Sequence, residues 1–475
     1  MANEADDIAQ TVLDQFRKLP AKRKPAVRDN GLREWVPLSG IVVRGPKFLQ
    51  CVALATGMKC LPASKLSQAN GVAVHDWHAE VLVIRAFNRF LLDECRRLAE
   101  DPGYESQFLR RRSQAEMPIT SSSSSLPWHD QPFAWREELT LHMYCSEAPC
   151  GDASMELIMA SQEDATPWEL PKASSSAESP SPPTVSSSAT PSSTPTQHAQ
   201  PGEQPQGETP LLGRGYFSLL GLVRRKPARA DAPQTLSKSC SDKLALRQCV
   251  SLLSSPTALL VSPEGVYLST LVLPASQLVE KACARCFSAG PTGGESDDSG
   301  QGDGDGESDG GRNAGRMAPV RDKIWLGTGY AFHEMRVDAT EKEFEFSRRG
   351  ILNLVQVNGE KDASKVKLVA SNLAVAWTKD GGIDEGLVGG VLQGRKAFDL
   401  RGASATSRRR LWTAAKEVAA LMPGCEDIVA ALAAKTYGEV KECAMLQGRR
   451  RVKEDVRREA LKGWARNLGD EGFSL

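Results

Sequence analysis

Hydrophobic positions along this chain fall into stretches of two different periods, separated by segments with almost none. Ile8, Val12, Leu13 and Phe16 recur at helical spacing and stop before Leu19-Pro20, which predicts a short amphipathic helix within residues 1–25, packed on the main core. Trp35 to Leu54 is strand-like, with Ile41-Val42-Val43 and Phe48 to Leu54 rich in β-formers. From His78 onward Val81, Leu82, Ile84, Phe87, Phe90 and Leu91 mark the buried face of a helix. Leu139, Leu141, Met143 and Cys145 alternate with Thr140, His142 and Tyr144, the pattern of a strand, and Cys150 to Met159 begins a helix. Leu244 to Leu253 reads as helix. Ala258–Val261 and Val266–Leu273 flank Ser262-Pro263-Glu264-Gly265 and predict a hairpin. Leu373–Trp377 is a short strand, and from Ser407 the pattern is helical at 411–421, 428–437 and 440–468. Strands interleaved with helices predict an α/β core with a helical C-terminal extension.

Two segments break this pattern. Residues 171–210 are mostly Ser, Pro, Thr and Gln, and residues 289–317 mostly Gly, Ser and Asp. Neither has the apolar content to offset the entropy of ordering, so both are predicted to be disordered insertions. Patterning resumes after each, which implies a single domain over 1–475 with its core in 35–475. Of the 475 residues 40% are hydrophobic and 25% charged, enough for a sizeable core. The 59 basic and 59 acidic residues cancel, but Glu295, Asp297, Asp298, Asp303, Asp305, Glu307 and Asp309 form a tract without Lys or Arg. The remainder is therefore basic by seven charges, a lean towards a polyanionic partner. No basic start followed by an apolar core opens the chain, and no run of about 18 apolar residues occurs, so neither export nor a membrane span is expected. The eleven cysteines are scattered, which favours reduced thiols and a location in cytoplasm and/or nucleus.

Chemistry enters at Val74-His75-Asp76-Trp77-His78-Ala79-Glu80. An imidazole is a good zinc ligand, and a carboxylate two positions on can work beside the metal as a general acid/base. His-x-Glu followed by Pro-Cys marks the zinc nucleobase deaminases, and Pro149-Cys150 supplies that second half after a strand. His78 and Cys150 are thus candidate zinc ligands and Glu80 the candidate proton carrier. The third ligand is open. A compact Pro-Cys-x-x-Cys would place a thiol at 153, where this chain has Ala153. Cys145 shares a core-facing strand side, Cys283 and Cys286 have no second pair, and elimination leaves Cys240 at Ser239-Cys240-Ser241-Asp242-Lys243.

Taken together, Thr56-Gly57-Met58-Lys59-Cys60, Asp76-Trp77-His78-Ala79-Glu80, Ala148-Pro149-Cys150-Gly151-Asp152-Ala153 and Ser239 to Lys243 resemble the adenosine deaminases acting on RNA and tRNA. Trp464 and Phe473-Ser474-Leu475 are similar to that family's ending. The resemblance implies a cytidine-deaminase-like mixed sheet flanked by helices, with His78, Cys150 and Cys240 on zinc and Glu80 as proton shuttle. Too little chain precedes residue 40 for a separate double-stranded-RNA-binding domain. The stretch from Arg224 to Pro233 is similar to the tRNA-acting branch, which makes inosine from the adenosine 3′ of the anticodon in alanine tRNA. The family also buries inositol hexakisphosphate. Arg85, Lys243, Tyr437, Lys441, Arg451 and Trp464 match positions that hold it, with Asp76 and Lys243 linking it to the zinc shell. Gln447 and Arg247 depart from a related editor's tyrosine and tryptophan. Arg457 and Arg458 are read instead as an exposed helix face.

Contacts to tRNA are expected from Lys59, from the loop 110–112, and from Arg224, Arg225, Lys226 and Arg229. No DNA partner is expected, and the oligomeric state stays open. Competing readings are a double-stranded-RNA editor, a cytidine deaminase, or a non-enzymatic RNA-binding protein with structural zinc. The last leaves Glu80 without a purpose.

Overall fold

Eight strands form one mixed sheet in the computed structural model, which describes residues 3–113, 116, 131–160, 211–213, 219–226, 232–290, 314–357 and 367–475. In chain order they are β1 (Leu38–Gly45), β2 (Phe48–Thr56), β3 (Thr140–Cys145), β4 (Leu268–Pro274), β5 (Arg336–Thr340), β6 (Ala374–Thr378), β7 (Asp384–Val388) and β8 (Val391–Leu392). Their spatial order is β5-β4-β3-β1-β2-β6-β7-β8. β3, β4 and β5 run parallel, and every other neighbouring pair is antiparallel. The strand-like stretch from Trp35 to Leu54 is a hairpin folded at Gly45-Pro46-Lys47, because proline has no N–H to continue a ladder.

Helices cover both faces. α1 (Glu4–Arg17), capped by the Asn3 side chain on the Ala5 N–H, buries Ile8, Val12 and Phe16 against Leu38, Val42, Leu54 and Tyr144. The opposite face carries α2 (Ala79–Glu100), with α7 (Arg408–Ala420) packed behind it. Short α3 (Met155–Ala160), α4 (Cys240–Val250) and α5 (Glu280–Phe287) follow β3 and flank β4. α6 (Arg348–Val357) joins β5 to β6. The C-terminal extension is α8 (Glu426–Leu432), α9 (Tyr437–Glu442) and α10 (Gln447–Glu459), so the single helix expected over 440–468 is broken near Cys443.

Two expectations change. Ala258–Val261 is a 3-10 turn meeting Phe133 through one bridge, while Leu268–Pro274 pairs with β3 and β5, so the expected hairpin does not form. The reason is burial: Leu271, Val272 and Leu273 are inaccessible to solvent in an interior strand that two neighbours hold. The second insertion is also shorter than expected at its edges, since Ala289 and Met317 are buried core. Residues 171–210, and 291–313 within the second insertion, lie outside the described residues.

Register places the chemistry. Thr56 at the end of β2 pairs with Leu38 and Val375, and Cys145 at the end of β3 pairs with Ser39. β4 and β5 run parallel to β3, so Pro274 and Thr340 end on that same edge of the sheet. In sheets of this kind the carboxyl ends of parallel strands are where ligands bind.

Candidate active site

The loop after β2 receives the start of α2 at this edge. Gly57 has φ +140°, and a Cβ there would lie 2.1 Å from the Trp77 carbonyl oxygen, so only glycine fits. Its own carbonyl accepts the Ala79 N–H at 2.9 Å. His78 therefore stands at the N-cap of α2 and Glu80 in the first turn, buried to 5% exposure. One Asp76 carboxylate oxygen accepts the His78 N–H at 3.0 Å and faces ring Nδ1 at 2.9 Å, which fixes the imidazole.

Cys150 and Cys240 are 90 residues apart and adjacent in space. The Cys240 N–H at the start of α4 donates to Cys150 Sγ at 3.4 Å. The Ser241 N–H donates to the Cys150 carbonyl at 3.0 Å, and the Ser241 hydroxyl to the Pro149 carbonyl at 2.9 Å. Gly151 (φ +110°) allows this approach, since a Cβ would strike Ser239 Oγ at 2.3 Å.

Glu80, His78 and both thiols share one electrostatic neighbourhood. A hydrogen bond from the Cys240 thiol, helped by Lys226 and His78, holds the Cys150 thiol well below its ordinary range against burial. Burial, then Cys150 and Glu80, pushes the Cys240 thiol up. Burial and the Cys150 thiolate also raise the Glu80 carboxyl, against His78 and Lys226. Cys150 and Cys240 are thus in contact and share a field with His78 and Glu80, but among the described residues the donor atoms that close to within 4.8 Å around His78 are those of Cys60 and Asp76. The Cys145 thiol accepts from the Ser39 hydroxyl at 3.2 Å and is pushed well up by burial.

A second donor group shares the same imidazole. Ligand atoms of Cys60, Asp76 and His78 lie within 4.8 Å of one another, with Cys60 Sγ 3.6 Å from His78 Nδ1. Asp76, however, is already committed. Its other oxygen accepts from Lys226 at 2.9 Å, from Ser237 at 2.6 Å and from Lys243. Burial opposes its charge, but Lys226, Lys243 and His78 hold its carboxyl well below the usual range. Asp76 is better placed to orient His78 than to bind a metal. The paired thiols with an imidazole are the donor types that fit zinc.

The basic residues expected at the tRNA surface divide sharply. Lys226 is 4% exposed, and its ammonium donates to Asp76 and, at 3.1 Å, to Cys240 Sγ. Arg224 is 1% exposed, with its guanidinium on the carbonyls of Gly213 and Leu219. Both face inward, a correction that follows from the large desolvation cost of a buried charge without partners. Arg225 is half-buried, and Arg229 lies outside the described residues. Arg110 pairs with Glu116 and Glu137, and Arg111 and Arg112 bind backbone carbonyls. Lys59 is bonded to the Asn372 side chain at the catalytic edge.

Beyond Asp76, between α2, α4, α7 and the C-terminal extension, lies a cavity of about 330 Å³. Eleven lysines and arginines line it against three carboxylates, Asp76, Glu442 and Glu471. Arg85, Lys243, Lys441 and Trp464 are among the lining residues, as the resemblance implied. Tyr437 is not; its ring stacks on Phe473 at 5.2 Å. Arg451 is exposed to solvent and also absent from the lining. In its place Arg449, Lys453 and Arg457 form one i, i+4 stripe on the inner side of α10, so Arg457 is not the exposed residue it was expected to be. That spacing was visible in the sequence. Arg408 and Lys238 reach the cavity from other elements and had no local signal, and Arg247, at a family position held by tryptophan in a related editor, also lines it. Arg85 Nη2, Arg449 Nε and Arg457 Nε are buried with no hydrogen-bond partner among the described residues. Burial, then the like charges of Arg449, Arg247 and Arg457, forces the Lys453 ammonium well below its ordinary range.

A shielded carboxylate beside an imidazole and two thiols, at the carboxyl ends of a mixed sheet, is deaminase architecture. The chain belongs to the adenosine-deaminase (editase) family, whose pattern matches residues 53–288, and it is an adenosine deaminase. It is 34% identical over 351 residues to tRNA-specific adenosine deaminase 1 of Schizosaccharomyces pombe, across 73% of this chain and 71% of that protein. The protein of the same name from Saccharomyces cerevisiae is 30% identical, across 57% of this chain and 58% of its own length. Double-stranded RNA-specific editase B2 of Mus musculus is 30% identical across 31% of this chain and 18% of that protein. No helix among the described residues is long and apolar enough to cross a membrane.

Proposed function

We propose that this chain is a zinc-dependent hydrolytic deaminase that converts adenosine to inosine in tRNA, at the adenosine 3′ of the anticodon in alanine tRNA. The observation that carries the chemistry is the buried Glu80 carboxyl in the field of His78, Cys150 and Cys240. Those three residues would hold zinc, which when bound supplies a water that ionises near neutral pH. Glu80 takes a proton from the attacking water and delivers it to the purine ring, then to the leaving amine; adenosine and water become inosine and ammonia. Its raised proton affinity suits both halves of that task. Relatives named for tRNA, matched over much more of this chain than the double-stranded-RNA editase, support the substrate. An anticodon loop also presents its bases unpaired, so little energy is needed to take one out of its stack.

Two measurements test this reading. Nucleoside analysis should find inosine in alanine tRNA treated with the protein, and none in duplex RNA or from cytidine; the opposite pattern overturns the substrate. Metal analysis should show Cys240→Ser protein depleted of zinc while Cys60→Ser and Cys145→Ser keep it. Full zinc in Cys240→Ser would move the third ligand to Cys60 or Cys145.

The cationic cavity supports a resident polyanion, and inositol hexakisphosphate is the occupant we propose. The cavity's lysines and arginines, which otherwise repel one another at close range, would bind it. Burial, Lys243, Arg225 and Arg457 push the Lys238 ammonium down to about 7. Between that value and the ordinary lysine pKa, about 10.4, the unfolded chain binds the proton and the folded one does not, so stability rises with pH. Protein freed of polyanion should therefore resist urea better at pH 9 than at pH 7. Added inositol hexakisphosphate should remove that dependence and raise the midpoint at pH 7. A ligand-free protein with a flat profile would overturn the assignment.

A further inference from the structure

Because Lys226 and Arg224 turn inward, the surface that meets RNA has to be sought elsewhere, and topology points to the connection from β5 to β6. β5 ends at Thr340 on the catalytic edge, and β6 starts there, with Val375 beside Thr56. Residues 341–373 thus leave and re-enter the sheet at the edge that holds the active site. Both ends of the connection touch its walls. The Arg348 N–H, at the start of α6, bonds to the Glu147 carboxylate, three residues before Cys150 and within the field of Glu80. At the other end Asn372 holds Lys59, whose carbonyl accepts the Trp77 N–H at 3.0 Å beside His78.

Three of the described cations on this connection face solvent. Arg348 and Lys367 are exposed, and Arg348 lies close enough to the Glu147 carboxylate for its charge to act there. Arg349, with 58% of its side chain exposed, has only a 3.8 Å approach to Glu343. Glu341, Glu343 and Glu345 precede the helix, and Glu343 is also engaged by the Ser276 hydroxyl at 2.6 Å. We infer that α6 and the strand-entry segment at 367–373 form the tRNA-docking surface, with Arg348, Arg349 and Lys367 on backbone phosphates flanking the target adenosine. Phosphates are the partner because exposed cations contribute binding without reading sequence. This rests on the proposal that the substrate is tRNA.

The test is the full-length protein carrying Arg348→Glu, Arg349→Glu and Lys367→Glu together. Lys47→Glu is the control, an exposed change in the β1–β2 turn at the far edge of the sheet. Inosine formation in alanine tRNA is followed at several salt concentrations, with zinc content measured in parallel. The triple variant should keep its zinc and kcat, raise KM about tenfold or more, and show a shallower slope of log affinity against log salt, by about 0.7–0.9 for each phosphate no longer neutralised. Lys47→Glu should match wild type. An unchanged KM and salt slope in the triple variant overturns the surface. If wild-type protein deaminates another RNA and leaves tRNA untouched, the substrate assignment falls instead. The same comparison on that RNA then decides the surface, a KM shift supporting it and no shift overturning it.

Discussion

Glu80→Ala protein is expected to fold, to keep the zinc proposed for it, and to lose inosine formation by about 10²- to 10⁴-fold in kcat, the range general acid/base groups contribute. The expectation follows from where the carboxyl sits. It is 5% exposed in the first turn of α2, beside Cys150, with no place in the sheet ladder or the hydrophobic core. Removing it deprives the attacking water of its proton acceptor and the leaving amine of its donor. It also removes a negative charge that pushes the Cys240 thiol up, so metal retention should not suffer. Metal analysis beside single-turnover kinetics separates the roles. Turnover within a few-fold of wild type would take Glu80 out of the mechanism.

Lys226→Met should have the largest effect on stability. The ammonium is buried between the Asp76 carboxylate and Cys240 Sγ, and its pKa is held well above the usual lysine value by Asp76, Cys150 and Cys240, against burial. Methionine conserves the bulk but leaves Asp76 with Lys243 as its one ammonium partner among the described residues. Breaking a buried pair from one side costs about 3–5 kcal/mol. The loss should register as a lower urea midpoint and faster zinc release to a chelator, because the Cys240 sulfur also loses a cation. A tRNA-surface lysine would behave in the opposite way, changing KM and salt dependence while leaving unfolding and zinc untouched. That second pattern would return Lys226 to the RNA interface.

Much of this protein could be read along the chain. Alternation over residues 139–145 and helical spacing after His78 identify two central elements because each buries one face, and burial on one face writes a period into local sequence. His78 and Glu80 at a helix start and Cys150 after a strand were recognisable because those signals are local too, although the helix expected from Cys150 begins only at Met155, after a 3-10 turn at Asp152–Ser154. Basic residues were where reading failed. Arg224 and Lys226 look like any solvated cations, and only the fold shows them enclosed; Arg451 faces solvent while Arg449 and Arg457, on the same short helix, face the cavity. A charge declares its role through its partners, and those of Lys226 lie 150 residues back, at Asp76, and 14 ahead, at Cys240.

The sequence alone determined the α/β class, the helix start that carries His78 and Glu80, the strand that leads to Cys150, and the family. Tertiary structure decided which thiol lies against Cys150, which cations are buried, and which edge of the sheet receives the start of α2. The division has one physical cause. Periodicity and capping act over a few residues, whereas thiol pairing, charge burial and cavity lining depend on strand order and register, which no short window contains.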